Sequence, residues 1–159
     1  MTSQAIHAPV RCSITVAVPR ERAYAVFVEN TGNWWSTEHH IGAVRPEAIV
    51  LEQRPGGRWF ERAPDGTECD WGRVLELEPP ARVLLAWHLG PDFRYDPDPA
   101  RATEVEVRFV AEGPSSTRVE LEHRGFEVHG DAGGGMRAAV GAPDGWGLFM
   151  RELAAALTA

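Results

Sequence analysis

From Thr103 to Val110 the chain alternates strictly, with Val105, Val107 and Phe109 on one side and Glu104, Glu106 and Arg108 on the other. A period of two belongs to a strand with one buried and one solvated face. Arg11 to Val18 repeats the pattern through Cys12, Ile14, Val16 and Val18, and Thr117 to His123 repeats it through Val119 and Leu121, so His123 takes the apolar parity. Ala48 to Gln53, Arg58 to Arg62, Glu68 to Glu78 and Arg82 to Leu89 read as further strands, separated by Pro55-Gly56-Gly57, Asp65-Gly66 and Pro79-Pro80. Such turn-forming punctuation between short strands predicts an antiparallel meander.

Helical spacing occurs at two places. After Pro19, Ala23, Val26 and Phe27 share one face of a short helix, and Gly32 interrupts it before Asn33-Trp34-Trp35, which predicts two short helices after the first strand. Near the end, Trp146, Phe149, Met150, Leu153 and Leu157 line one face of a long helix, with Asp144 as its expected N-cap. The glycine-rich stretch Gly130 to Gly135 reads as a mobile lid or a linker. The fold class is α+β: a curved antiparallel sheet of about six to seven strands, wrapped around the C-terminal helix.

Composition narrows the function. With 159 residues, 43% of them hydrophobic, the chain is expected to form a single domain over 1–159, with 1–9 as a flexible N-terminal segment. The opening residues lack a basic stretch and an apolar signal core, so a cytoplasmic location is expected. A net charge of −7 argues against nucleic acid and anionic membranes as partners. Cys12 and Cys69 make no disulfide framework and no Cys-x-x-Cys pair. All 16 basic residues are arginine, which excludes Schiff-base chemistry and a phosphate-loop lysine and fits a GC-rich bacterial genome. Standard nucleophilic hydrolysis lacks its Gly-x-Ser-x-Gly. His39-His40 beside Glu38, and His123 with His129, do not have chelating spacings, so no metal or cofactor is expected. The compositional excess is six tryptophans.

An ordered set of marks carries a family resemblance: Ile14-x-Val16-x-Val18-Pro19 with Tyr24 and Phe27, Trp34-Trp35, Pro55-Gly56-Gly57-Arg58-Trp59, Asp65-Gly66, Trp71-Gly72-x-Val74-Leu75-Glu76-Leu77-Glu78-Pro79-Pro80, Trp87, Thr117-Arg118-Val119 and Gly145-Trp146. Over nearly its whole length the chain resembles the START-like, birch-pollen-allergen-like (SRPBCC) superfamily, in the branch named after the activator of the heat-shock-protein ATPase. The resemblance implies a helix-grip fold with a cavity between sheet and C-terminal helix. Family members bind hydrophobic small molecules there, and some transform them as cyclases or hydrolases. The eukaryotic co-chaperone carries an additional domain that is not expected here, so chaperone activation is not expected either.

Parity then collects Trp59, Trp71, Trp87, Phe109 and His123 from the strands and Trp146, Phe149 and Met150 from the helix as ligand-binding candidates. These aromatics either line a hollow or fill a core. A sealed cavity of about 300 Å³ would cost roughly 7 kcal/mol at the slope known for truncated cores, so the space is expected to be small, wet or occupied. His123 is the weak catalytic candidate, able to orient a ligand or shuttle a proton, or else a satisfied core residue. Arg73, if inward, would bind a ligand carboxylate, although Gly72 beside it suggests a bulge turning it outward. Glu61 and Asp70 are either acids near the pocket or solvated strand charges. Three functions follow: binding of a small hydrophobic or aromatic molecule, a cyclase- or dehydratase-like enzyme acting on such a ligand, or a co-chaperone-like interaction module using a patch at Trp34-Trp35 to hold a protein partner or form a homodimer.

Overall fold

The computed structural model describes residues 7–35 and 39–158. Seven strands form one curled antiparallel sheet: β1 (Val10–Val16), β2 (Ala48–Leu51), β3 (Arg58–Arg62), β4 (Glu68–Glu78), β5 (Arg82–Trp87), β6 (Thr103–Gly113) and β7 (Ser116–Arg124). Their spatial order is β1-β7-β6-β5-β4-β3-β2, a meander from β2 to β7 closed by β1 on the far edge. Helices α1 (Arg20–Glu29) and α2 (Thr31–Trp34) follow β1, while α3 (Ala132–Val140) and α4 (Trp146–Thr158) follow β7. Of the segment expected to be flexible, residues 1–6 lie outside the described residues. Those beside β1 are tied down, His7 Nε2 donating to the Gly130 carbonyl at 2.7 Å and Arg137 to the Ala8 carbonyl at 2.5 Å.

Register puts Val105 opposite His123, Val107 opposite Leu121 and Phe109 opposite Val119. All six are buried, so they make the inner face that the helices cover. α4 supplies Trp146, Phe149, Met150, Leu153 and Leu157 to the same core. The outer face is stitched by charge instead. Glu106, almost wholly buried, accepts from Arg82, Arg108 and Arg124. These guanidiniums hold its carboxyl down at about 2, against the desolvation that would raise it. Arg58 stacks 4.0 Å from the Phe60 ring centroid and shields it from water.

Two expectations fail for tertiary reasons. The triple glycine is neither lid nor linker but the first half of α3. A Cβ at Gly133 would lie 2.1 Å from the Phe126 carbonyl oxygen, so glycine lets this helix pack directly on the turn after β7, and that packing overrides poor helix propensity. Asp144 does not cap α4: the amides of Leu148 and Phe149 close on the Gly145 carbonyl, at 3.0 and 3.3 Å. Gly145 holds this place because a Cβ there would meet the Val140 carbonyl at 2.2 Å.

Candidate functional site

The site begins with an irregularity in β4. Trp59 pairs with Gly72 but Phe60 pairs with Asp70, so Trp71 is an extra residue, a bulge that turns its ring inward beside an inward-facing glycine. Gly72 lies between Trp59 on β3 and Trp87 on β5, and a Cβ there would stand 1.9 Å from the Ala86 carbonyl. With no side chain between them, the two indoles meet at 5.7 Å between centroids. Arg73 consequently faces outward, bonded to Asp70 at 3.1 Å and to the Gly72 carbonyl at 2.9 Å. Neither Arg73 nor Asp70 reaches the interior.

Inside, the rings interlock. Trp35 stands 5.6 Å from Trp59, 5.2 Å from Trp71 and 4.3 Å from Phe149, and Trp87 stands 5.5 Å from both Trp71 and Trp146. Phe109 packs at the opposite end, edge-on to Tyr24 and Phe27. Trp34 and Trp35 are 2% and 4% exposed, so the docking patch expected there does not exist: both indoles are in the core, drawn in by Phe27, Trp59 and Trp71.

His123 is enclosed and fully bonded. Trp146 donates its indole N–H to Nδ1 at 3.0 Å, so the ring proton sits on Nε2, which meets the Thr103 hydroxyl at 2.7 Å. Burial pulls its pKa down to about 3. Both nitrogens are committed to protein, so His123 positions Trp146.

The open space lies at one end of this cluster, a pocket of about 320 Å³. Four of the eight expected residues, Trp71, Trp87, Trp146 and Phe149, reach its wall; Trp59, Phe109, His123 and Met150 stay in the solid interior. The remaining wall is made by His39, His40 and Ile41, by Phe93, and by the α3–α4 turn with Val140, Asp144 and Gly145. Phe93 sits at the tip of a tight turn, with φ of 60°, and is 39% exposed. Two polar atoms of the lining residues are buried without a partner, the indole N–H of Trp87 and Nδ1 of His39.

Glu61 anchors the 39–42 wall. On β3 it shares the inward parity of Trp59, and it is 2% exposed. Its carboxylate accepts from the Ile41 amide at 2.7 Å, the Gly42 amide at 3.1 Å and the Trp71 indole N–H at 2.9 Å. Parity alone places Glu61 inward, and the apolar neighbours that parity implies are the signal for its role. His39 and His40 carry no such signal, because they follow a helix and precede a turn. Glu38 lies outside the described residues, and among the described residues no three His, Cys, Asp or Glu side chains converge as a metal site. No described helix is long and apolar enough to cross a membrane.

A model of the Activator of Hsp90 ATPase homolog 1-like protein family matches residues 17–158. Among solved structures, an anthrahydroquino-gamma-pyrone synthase, Txn09, is 35% identical over 91% of this chain and 96% of its own, with a TM-score of 0.62. CalC of Micromonospora echinospora, a self-sacrificing resistance protein, is 29% identical over 96% and 95% of the two chains, with a TM-score of 0.70. The Aha1 dimer of Colwellia psychrerythraea, 16% identical over 94% and 96% at a TM-score of 0.63, shares the fold. Among curated proteins none matches.

Proposed function

The chain belongs to the Activator of Hsp90 ATPase homolog 1-like family, and from that premise we propose that it binds a small, flat aromatic molecule in the pocket at the end of the tryptophan cluster. The observation that carries this reading is the buried, unpartnered N–H of Trp87 in a wall that also holds the rings of Trp71, Phe93, Trp146 and Phe149. A buried donor without an acceptor costs about 1–3 kcal/mol. A ligand with a ring to stack and an oxygen to accept that N–H relieves the penalty. The volume, about 320 Å³, matches a molecule of two or three fused rings at the small end of ligand pockets. Chemistry on the bound molecule is a second reading, favoured by the 35% identity to a pyrone synthase.

The test uses 1,2-dihydroxyanthraquinone as probe. Binding should quench tryptophan fluorescence and raise the melting temperature, with about 2.7 kcal/mol of added stability at a hundredfold excess over Kd. Trp87→Phe, which keeps the ring and removes the donor, should weaken binding about fivefold to tenfold. A protein whose fluorescence and melting are both indifferent to the probe lacks this function.

A further inference from the structure

Resting on that pocket reading, we propose that His40 is a proton-transfer group acting on a phenol or enol held in the pocket, with Glu61 as the positioning residue behind it. His40 lines the pocket, and its Nδ1 lies 2.9 Å from the Gly42 carbonyl oxygen. A carbonyl only accepts, so Nδ1 carries the ring proton and the neutral imidazole must present its lone pair at Nε2. No described side chain or backbone group takes that second nitrogen.

The turn that sets this tautomer is itself fixed. Both carboxylate oxygens of Glu61 hold the amides of Ile41 and Gly42, and one of them also holds the Trp71 indole. A buried anion on a rigid strand therefore pins the turn, the turn's carbonyl orients the ring, and the ring stands in the wall beside Trp71. Space behind the turn is tight: a Cβ at Gly42 would come within 3.0 Å of Glu61 Oε2 and 3.4 Å of Cys69 Sγ. The other ionisable groups of the lining are His39, whose Nδ1 is buried and unpartnered, and Asp144. His39 Nδ1 is a second polar point among the lining residues, so the site offers a ligand more than one hydrogen-bonding position.

The step balances without another reactant. The ligand O–H bond breaks and its electron pair stays on oxygen, while an N–H bond forms at Nε2, leaving a phenolate or enolate beside an imidazolium. Return of the proton to oxygen reverses the step, and its return to the carbon of an enolate completes a tautomerisation.

The visible colour of 1,2-dihydroxyanthraquinone reports its ionisation. Bound to the protein, its first ionisation should fall by about one pH unit or more relative to the free dye, as expected for an anion formed against a cation. His40→Gln, titrated at dye concentrations that saturate it, should return the midpoint to that of the free dye. Glu61→Gln should reduce the shift, and because that variant loses fold support as well, the ¹⁵N spectrum of the unsubstituted protein supplies an independent measurement: His40 should appear protonated at Nδ1. Equal midpoints in His40→Gln and the parent, with quenching retained, or a His40 ring protonated at Nε2, overturn the proton-transfer role and leave the pocket reading standing. Absence of quenching in the parent protein overturns both.

Discussion

Two histidines stand beside the same tryptophan cluster and have opposite fates. His123 is fully enclosed, donates to Thr103, accepts from Trp146 and is kept neutral by burial. His40 is half-buried at the pocket, with one nitrogen fixed by the Gly42 carbonyl and, among the described residues, no partner on the other. Depth therefore does not mark the reactive group in this molecule. A histidine whose two nitrogens are both satisfied is a strut, and chemistry needs one nitrogen held and one left over. The same division separates the two halves of the indole cluster: around Trp59 the rings touch one another, while around Trp87 they border open space.

The contrast breaks first at its solid end. Trp59→Ala removes a ring 1% exposed and packed on three other indoles, and urea unfolding should record a loss of about 3–5 kcal/mol. A loss below about 1 kcal/mol would mean that the centre is loosely filled.

Acid should act next, through His123. The unfolded chain takes up a proton near the ordinary 6.5 and the folded chain only at about 3, so the unfolded state binds more protons throughout that window. Stability is complete above pH 6.5 and declines as the pH falls, by about 1.4 kcal/mol per pH unit, or roughly 3 kcal/mol by pH 4. Glu106, held at about 2 rather than 4.5, adds its own loss only below pH 4.5. His129, also lowered by burial, adds to the slope in the same window, so the part of the slope between pH 6.5 and 4.5 that His123→Gln removes is the part that belongs to His123.

A finer cut is Trp146→Phe, which preserves most of the ring and removes the donor to His123 Nδ1. An orphaned buried acceptor should lower stability by about 1–3 kcal/mol in calorimetry. Smallest is Phe93→Ala at the mouth. Its exposed ring should matter to stability by less than about 0.5 kcal/mol, while probe affinity drops measurably in a fluorescence titration. Equal affinity would place the ligand away from the 90–94 turn.

Strand parity foresaw the sheet because an alternating run can bury only one face; hence Val105, Val107, Phe109 and His123 lie inward as expected. Helical spacing foresaw α4 and its buried residues for the same reason. Parity was silent wherever period broke. The bulge at Trp71 was suggested by Gly72, yet its purpose, bringing three indoles together over a residue with no side chain, depends on the strands to either side. Gly133 and Gly145 are explained by carbonyls seven and five residues away in sequence, which no local propensity records.

By itself the sequence determined which residues could leave water: an inner face of indoles and aliphatics, an outer face of arginine and glutamate, and the α+β order that joins them. Burial follows from side-chain chemistry repeated at a backbone period, and both are written along the chain. Tertiary structure alone decided where the packing stops. It filled the middle of the cluster, left about 320 Å³ at one end, and brought Glu61 against the 41–42 turn from twenty residues away. A gap and a hydrogen-bond partner are properties of distances between separate segments, and those distances exist only once the sheet has curled and the helices have closed on it.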